Sequence, residues 1–69
     1  MFDEKRFKAT VILSGLTLRQ VAASLGIDEA TLYRKMNGKS DFYRKEIQKL
    51  CEILNIEDPA AIFFAQKIT

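Results

Sequence analysis

With 69 residues, 48% of them apolar and 29% charged, the sequence has the composition of an ordinary globular chain with room for one small core, which excludes disordered and collagen-like classes. One cysteine, Cys51, cannot close an internal disulfide. No apolar run reaches the roughly 20 residues that span a bilayer, and Met1 to Arg6 carry no signal-peptide stretch, so a reducing cytoplasm is expected. The net charge of +2 is too small to mark a polyanion binder, but it is unevenly placed. Residues 27–49 carry six cations against four anions, net basic by two, and residues 50–69 carry one cation against three anions, net acidic by two. This distribution suits either a solvated surface or a face that meets nucleic acid.

Asp3 and Glu4 place negative charge in the first turn of a helix in which Phe7, Val11 and Ser14, with Thr10 and Leu13 beside them, recur at three- and four-residue spacing, and Gly15 stops it. Thr17 with Gln20 three residues on forms a capping box, and Leu18, Val21, Ala22 and Leu25 predict a second helix over 18–25, ended by Gly26. Asp28 caps a third helix that continues without a breaker to Asn37-Gly38. Lys39 to Tyr43 is a polar connection anchored by Phe42. Beyond it Ile47, Leu50, Cys51 and Leu54 predict a fourth helix from about Arg44 to Leu54, with Asn55 as its stop and Tyr43 as an unusual start. Asp58 as cap and Pro59 at the first helical position, followed by the short apolar run Ala60 to Phe64, predict a brief fifth helix. Residues 65–69 are open between a helical end, an extended tail and a strand. The expected fold is all-α, a compact bundle of about five short helices making a single domain over residues 1–69.

Two short helices joined by a tight turn containing glycine meet the geometric requirement of a helix-turn-helix, and Thr17 to Gly38 meets it. Ala22 supplies the small side chain where the helices cross, Gly26-Ile27 the turn and an apolar plug, and Val21, Leu25, Ile27 and Leu32 the shared core. A generic αα-hairpin uses the same inner residues, so the outer face of the third helix carries the distinction. Glu29, Ala30, Tyr33 and Arg34 point away from the Leu32 and Met36 stripe and are the candidate base contacts. Arginine donates two hydrogen bonds to guanine, glutamate accepts from a cytosine amino group, and alanine packs on a thymine methyl. Tyr33 is open to a base contact, stacking on sugar, or covering the domain, and exposed Glu and Arg also suit a plain solvated helix.

Leu16 to Ile27 followed by Asp28 to Lys39 resembles the Cro and repressor-type helix-turn-helix family of phages and bacteria. The likeness rests on Leu25-Gly26-Ile27, Thr31-Leu32 and Asn37-Gly38-Lys39 and extends over at least residues 7–56. Tyr33 to Phe42, Glu46-Ile47 and Ile62-Phe63-Phe64 also resemble the small phage-encoded regulators of Gram-positive bacteria. The resemblance implies a lambda-repressor-like DNA-binding domain in a bacterial host cytoplasm, a sequence-specific double-stranded DNA-binding transcriptional regulator of phage repressor or Cro type. Its reading helix would be residues 28–37. Carried over by position, Glu29, Ala30 and Arg34 face bases, Thr31 reaches phosphate or base, Asn37 and Lys39 contact the backbone, and Thr17 contacts phosphate. Where the family often has a glutamine that binds phosphate and braces the recognition helix, this sequence has Leu18. Arg19 is then expected to take over the phosphate contact, or helix two to sit differently on the backbone.

Phosphate contacts supply affinity and base contacts discrimination, and Arg19, Lys39, Arg44 and Lys35 are the cationic candidates for the first role. A domain this small buries little DNA, so specificity is expected to require a homodimer on a palindromic operator. Ile62, Phe63 and Phe64, within residues 57–69, are the candidates for that contact, although at least one of the two phenylalanines is expected to cap the core. A second phage regulator is a further candidate partner. The competing reading is a protein-binding module of the same fold, an antirepressor or antitoxin-like partner. Without histidine, with one cysteine in an apolar stripe, no phosphate-cradling glycine loop and no metal-ligand cluster, neither an enzyme nor a cofactor is expected.

Overall fold

The computed structural model describes residues 2–64; the expectation for residues 65–69 lies outside the described residues. Five helices follow one another, α1 (Glu4–Leu13), α2 (Leu18–Leu25), α3 (Glu29–Met36), α4 (Arg44–Leu54) and α5 (Ala60–Phe63), with no strand among the described residues. None of them is long and apolar enough to cross a membrane.

Helices of eight residues are too short to form alone in water, so their ends must be satisfied locally and their faces by packing. The Asp3 carboxylate accepts from the Arg6 N–H at 3.0 Å at the start of α1. At α2 the Thr17 hydroxyl accepts from the Gln20 N–H at 3.1 Å while the Gln20 side chain accepts from the Thr17 N–H at 2.9 Å, the expected capping box. Asp28 accepts from the Thr31 N–H at 2.7 Å and starts α3. The turn between α2 and α3 depends on Gly26, whose φ of +72° lets the Gly26 and Ile27 N–H groups fold back onto the carbonyls of Ala23 and Ala22, both at 3.1 Å. Asn55, with a φ of +56°, closes α4 in the same manner, as its position after Leu54 suggested.

Packing brings α2 against both α3 and α4, and α1 against α5. Phe7, Val11, Val21, Ala22, Leu32, Met36, Leu50, Leu54, Ile62 and Phe63 are buried together, with Leu25 and Ile27 partly buried against them. The helix-turn-helix therefore shares its inner face with α1, α4 and α5. Phe2, Phe7, Phe42 and Phe63 form an aromatic cluster with centroids 5.0 to 6.4 Å apart, inside the range where ring pairs attract. The Asp3 N–H donates to the Ile62 carbonyl at 2.6 Å, tying the chain before α1 to α5.

Two expectations change with the packing. Ile62 and Phe63 are 4% and 6% exposed, because the single turn of α5 directs both into the core; Phe63 completes the aromatic cluster, as expected of at least one of the two phenylalanines, and neither is free to meet a second copy. Of the residues at this spacing in α1, Phe7 and Val11 face inward, and Leu13 beside them is 87% exposed where the helix ends. Asp58 does not cap α5 with its side chain; Pro59 holds the capping position and the helix begins at Ala60, one residue later than the proline rule places it.

Candidate nucleic-acid interface

The exposure pattern of α3 follows its sequence. Leu32, Lys35 and Met36 are buried, while Ala30, Tyr33, Arg34 and the capping Asn37 are exposed, and Glu29 and Thr31 partly so. Glu29, Ala30, Tyr33, Arg34 and Asn37 stand at spacings of one, four, five and eight from the helix start, which places them on one side of α3. That side is available to a partner and makes no contribution to the core.

Its charges are held in place. Asp28 is engaged as the cap of α3, and its carboxyl is held below its ordinary value by the Thr31 side chain and N–H, with the Arg34 charge adding to the effect. Arg34 Nη2 donates to the Thr31 hydroxyl at 3.3 Å, laying the guanidinium along the helix surface. Glu29 Oε1 lies 3.2 Å from Nε of Arg19 on α2, so the two helices are linked across their outer surface. With Asp28 and Glu29 engaged, Arg34 is the exposed cation on this side of α3, and the loop beyond its end carries the exposed Lys39 and Asp41. The Lys39 N–H donates to the Arg34 carbonyl at 3.0 Å, fixing the loop that carries this lysine against the end of α3.

Lys35 is a correction. It is 4% exposed; its ammonium lies 3.0 Å from Glu46 Oε1, donates to the Asp41 carbonyl at 3.0 Å, and sits 4.1 Å from the centroid of the Tyr43 ring. A cation so enclosed cannot reach a phosphate, and Lys35 leaves that set. The same contacts account for the unusual start of α4: Tyr43 covers the buried ammonium, and Glu46 accepts from the Tyr43 N–H at 2.7 Å where a capping side chain would otherwise be needed. The sequence held a signal for this socket. Lys35 stands three residues after Leu32, on the buried stripe, and Glu46 stands three residues after Tyr43.

Among the other sequence candidates, Thr17 is exposed at the N-cap of α2, its hydroxyl already accepting from Gln20, and Arg19 is 85% exposed along its side chain. Lys39 and Arg44 are exposed beyond the C-terminal end of α3, and Phe64 is 62% exposed. The elements thus gather Arg19, Glu29, Ala30, Tyr33, Arg34, Asn37 and Lys39 around the helix-turn-helix, while Ile62 and Phe63 belong to the core.

The chain matches the Cro/C1-type HTH DNA-binding domain over residues 7–63. No curated protein and no solved structure matches it. A match over residues 7–63 takes in α2 and α3 together with the helices that pack on them. The chain belongs to the Cro/C1-type helix-turn-helix family and is a DNA-binding regulator.

Proposed function

We propose that the chain is a sequence-specific double-stranded DNA-binding transcriptional regulator of phage or prophage repressor or Cro type, acting as a single domain in a bacterial cytoplasm and reading the major groove with α3. The observation that carries this reading is the outer side of α3. Arg34, Ala30 and Tyr33 are exposed there, Asp28 and Glu29 are engaged by the protein's own donors, and Lys39 and Arg44, which follow α3 in the chain, are exposed. Arg34 is the candidate for guanine, Glu29 for a base amino group, and Ala30 for a thymine methyl, with Tyr33 beside them. Thr17, Thr31, Asn37, Lys39 and Arg44 are the phosphate candidates: Thr17 caps α2, Thr31 and Asn37 belong to α3 and its cap, and Lys39 and Arg44 follow α3 in the chain. Lys39 and Arg44 carry the salt dependence.

A homodimer on a palindromic site remains part of the reading, with Phe64 as its apolar contact now that Ile62 and Phe63 are core residues. A protein partner, such as a second phage regulator, is favoured by one observation: Ile12 and Leu13 at the end of α1 are 75% and 87% exposed. An antirepressor or antitoxin-like module would use such a patch instead of α3. Titration of fluorescent duplex DNA at two salt concentrations separates the readings. Binding that weakens steeply with salt supports DNA recognition, and no binding at low salt removes it.

A further inference from the structure

Arg19 and Glu29 form the one ion pair among the described residues that joins α2 to α3, and it lies on the outer surface of the helix-turn-helix. Its side chains are 85% and 43% exposed, so it contributes little to folding in water, and its chemistry has to be sought in a complex. Glu29 opens α3, and a lone carboxylate at that place would be repelled by phosphates and left unpaired once water is displaced. Arg19 meets both problems. Its Nε lies 3.2 Å from Oε1 of Glu29, which offsets the charge of the acid, and a carboxylate has a second oxygen that can accept.

We infer that Arg19 is the positioning residue for Glu29, so that the pair acts as one unit whose free carboxylate oxygen selects a base carrying an exocyclic amino group at the base pair facing the start of α3. This rests on the DNA-binding reading above and changes the role of Arg19 from a phosphate contact to a determinant of specificity. A well-placed acceptor against a base amino group discriminates by roughly ten- to hundred-fold. A cation on phosphate would instead raise affinity for all sequences alike.

The test is selection from a randomised duplex pool with the full chain and with Arg19→Gln, Glu29→Gln and the double variant, each checked for unchanged helicity. The expected result is a preference of about ten-fold or more at one base pair in the unaltered protein, in line with a single base contact. Either single substitution should flatten that preference to near two-fold, the double variant no further, and preferences elsewhere in the site should survive. In the free protein, Glu29→Gln should shift the Arg19 Nε–H resonance, a readout that needs no DNA. An unmoved resonance overturns the pairing. If Arg19→Gln keeps the preference, weakens every duplex equally and lowers the salt slope by about one, Arg19 is a plain phosphate contact and the inference fails while DNA recognition stands. If the unaltered protein binds no duplex at low salt, both fall together.

Discussion

Lys35 Nζ lies 3.0 Å from Glu46 Oε1, with the two side chains only 4% and 12% exposed, so the end of α3 and the start of α4 are joined by an ion pair inside the protein. Asp41 and Tyr43 complete the enclosure of the ammonium from the loop between them. The position of α3 relative to α4 thus depends on a buried charge.

Removing one member of such a pair leaves the other uncompensated, which costs ~3–5 kcal/mol, whereas replacing both with neutral groups is often close to neutral. Lys35→Met should therefore lower the urea midpoint sharply, in a chain whose size supports only a modest total stability. Lys35→Met combined with Glu46→Gln, which keeps an acceptor for the Tyr43 N–H, should recover most of the loss. A single variant as stable as the unaltered protein would show that the pair does not hold the helices.

Lys39 and Lys35 should differ in DNA binding for the same reason. Lys39→Ala is expected to weaken all duplexes about equally and to lower the slope of log affinity against log salt by about one. The Lys35→Met, Glu46→Gln double variant should keep the slope, since Lys35 is enclosed. Loss of slope in the double variant would return Lys35 to the phosphate contacts.

Asp28 predicts an acid limb of stability. Its carboxyl is held below the ordinary value of 3.8 by the Thr31 hydrogen bonds and the Arg34 charge, so the folded state favours the ionised form. Its contribution is complete above that value and is lost as the pH falls through the lowered one. Asp28→Asn, which keeps the capping acceptor but does not titrate, should flatten the decline of the melting temperature below about pH 4. Parallel curves for the two proteins would contradict the assignment.

Cys51 is expected to be unreactive in the folded protein. Partial burial on α4, with the neighbouring Glu52 carboxylate, raises its thiol above the usual value and disfavours the thiolate that reacts. Titration with a thiol reagent near neutral pH should be slow in buffer and accelerate in urea; equal rates would show the thiol to be free.

The helix-turn-helix was legible because its signals are local. Thr17 and Gln20 cap, Gly26 turns, and Val21, Ala22 and Leu32 fall on one face at helical spacing, so nothing distant had to be known. α4 was legible for the same reason in Leu50, Leu54 and Asn55. Tertiary packing decides what local spacing leaves open. The fate of Ile62 and Phe63 depended on whether Phe2, Phe7 and Phe42 came together to receive them. Lys35 was read by its charge, while its place beside Leu32 on the inner stripe decided the outcome. The Arg19 and Glu29 link spans two helices, and their sequence separation gives no hint of it.

The most direct test of the central claim, that the outer side of α3 reads sequence, is the affinity of the unaltered protein and of Arg34→Ala for a selected duplex and for a random one at the same salt. Arg34 is exposed, and its hydrogen bond to Thr31 is a surface contact, so its loss should leave the fold intact. Arg34→Ala should reduce the ratio of selected to random affinity by about ten-fold or more while leaving random binding nearly unchanged. An equal loss on both duplexes, or no preference in the unaltered protein, would contradict it.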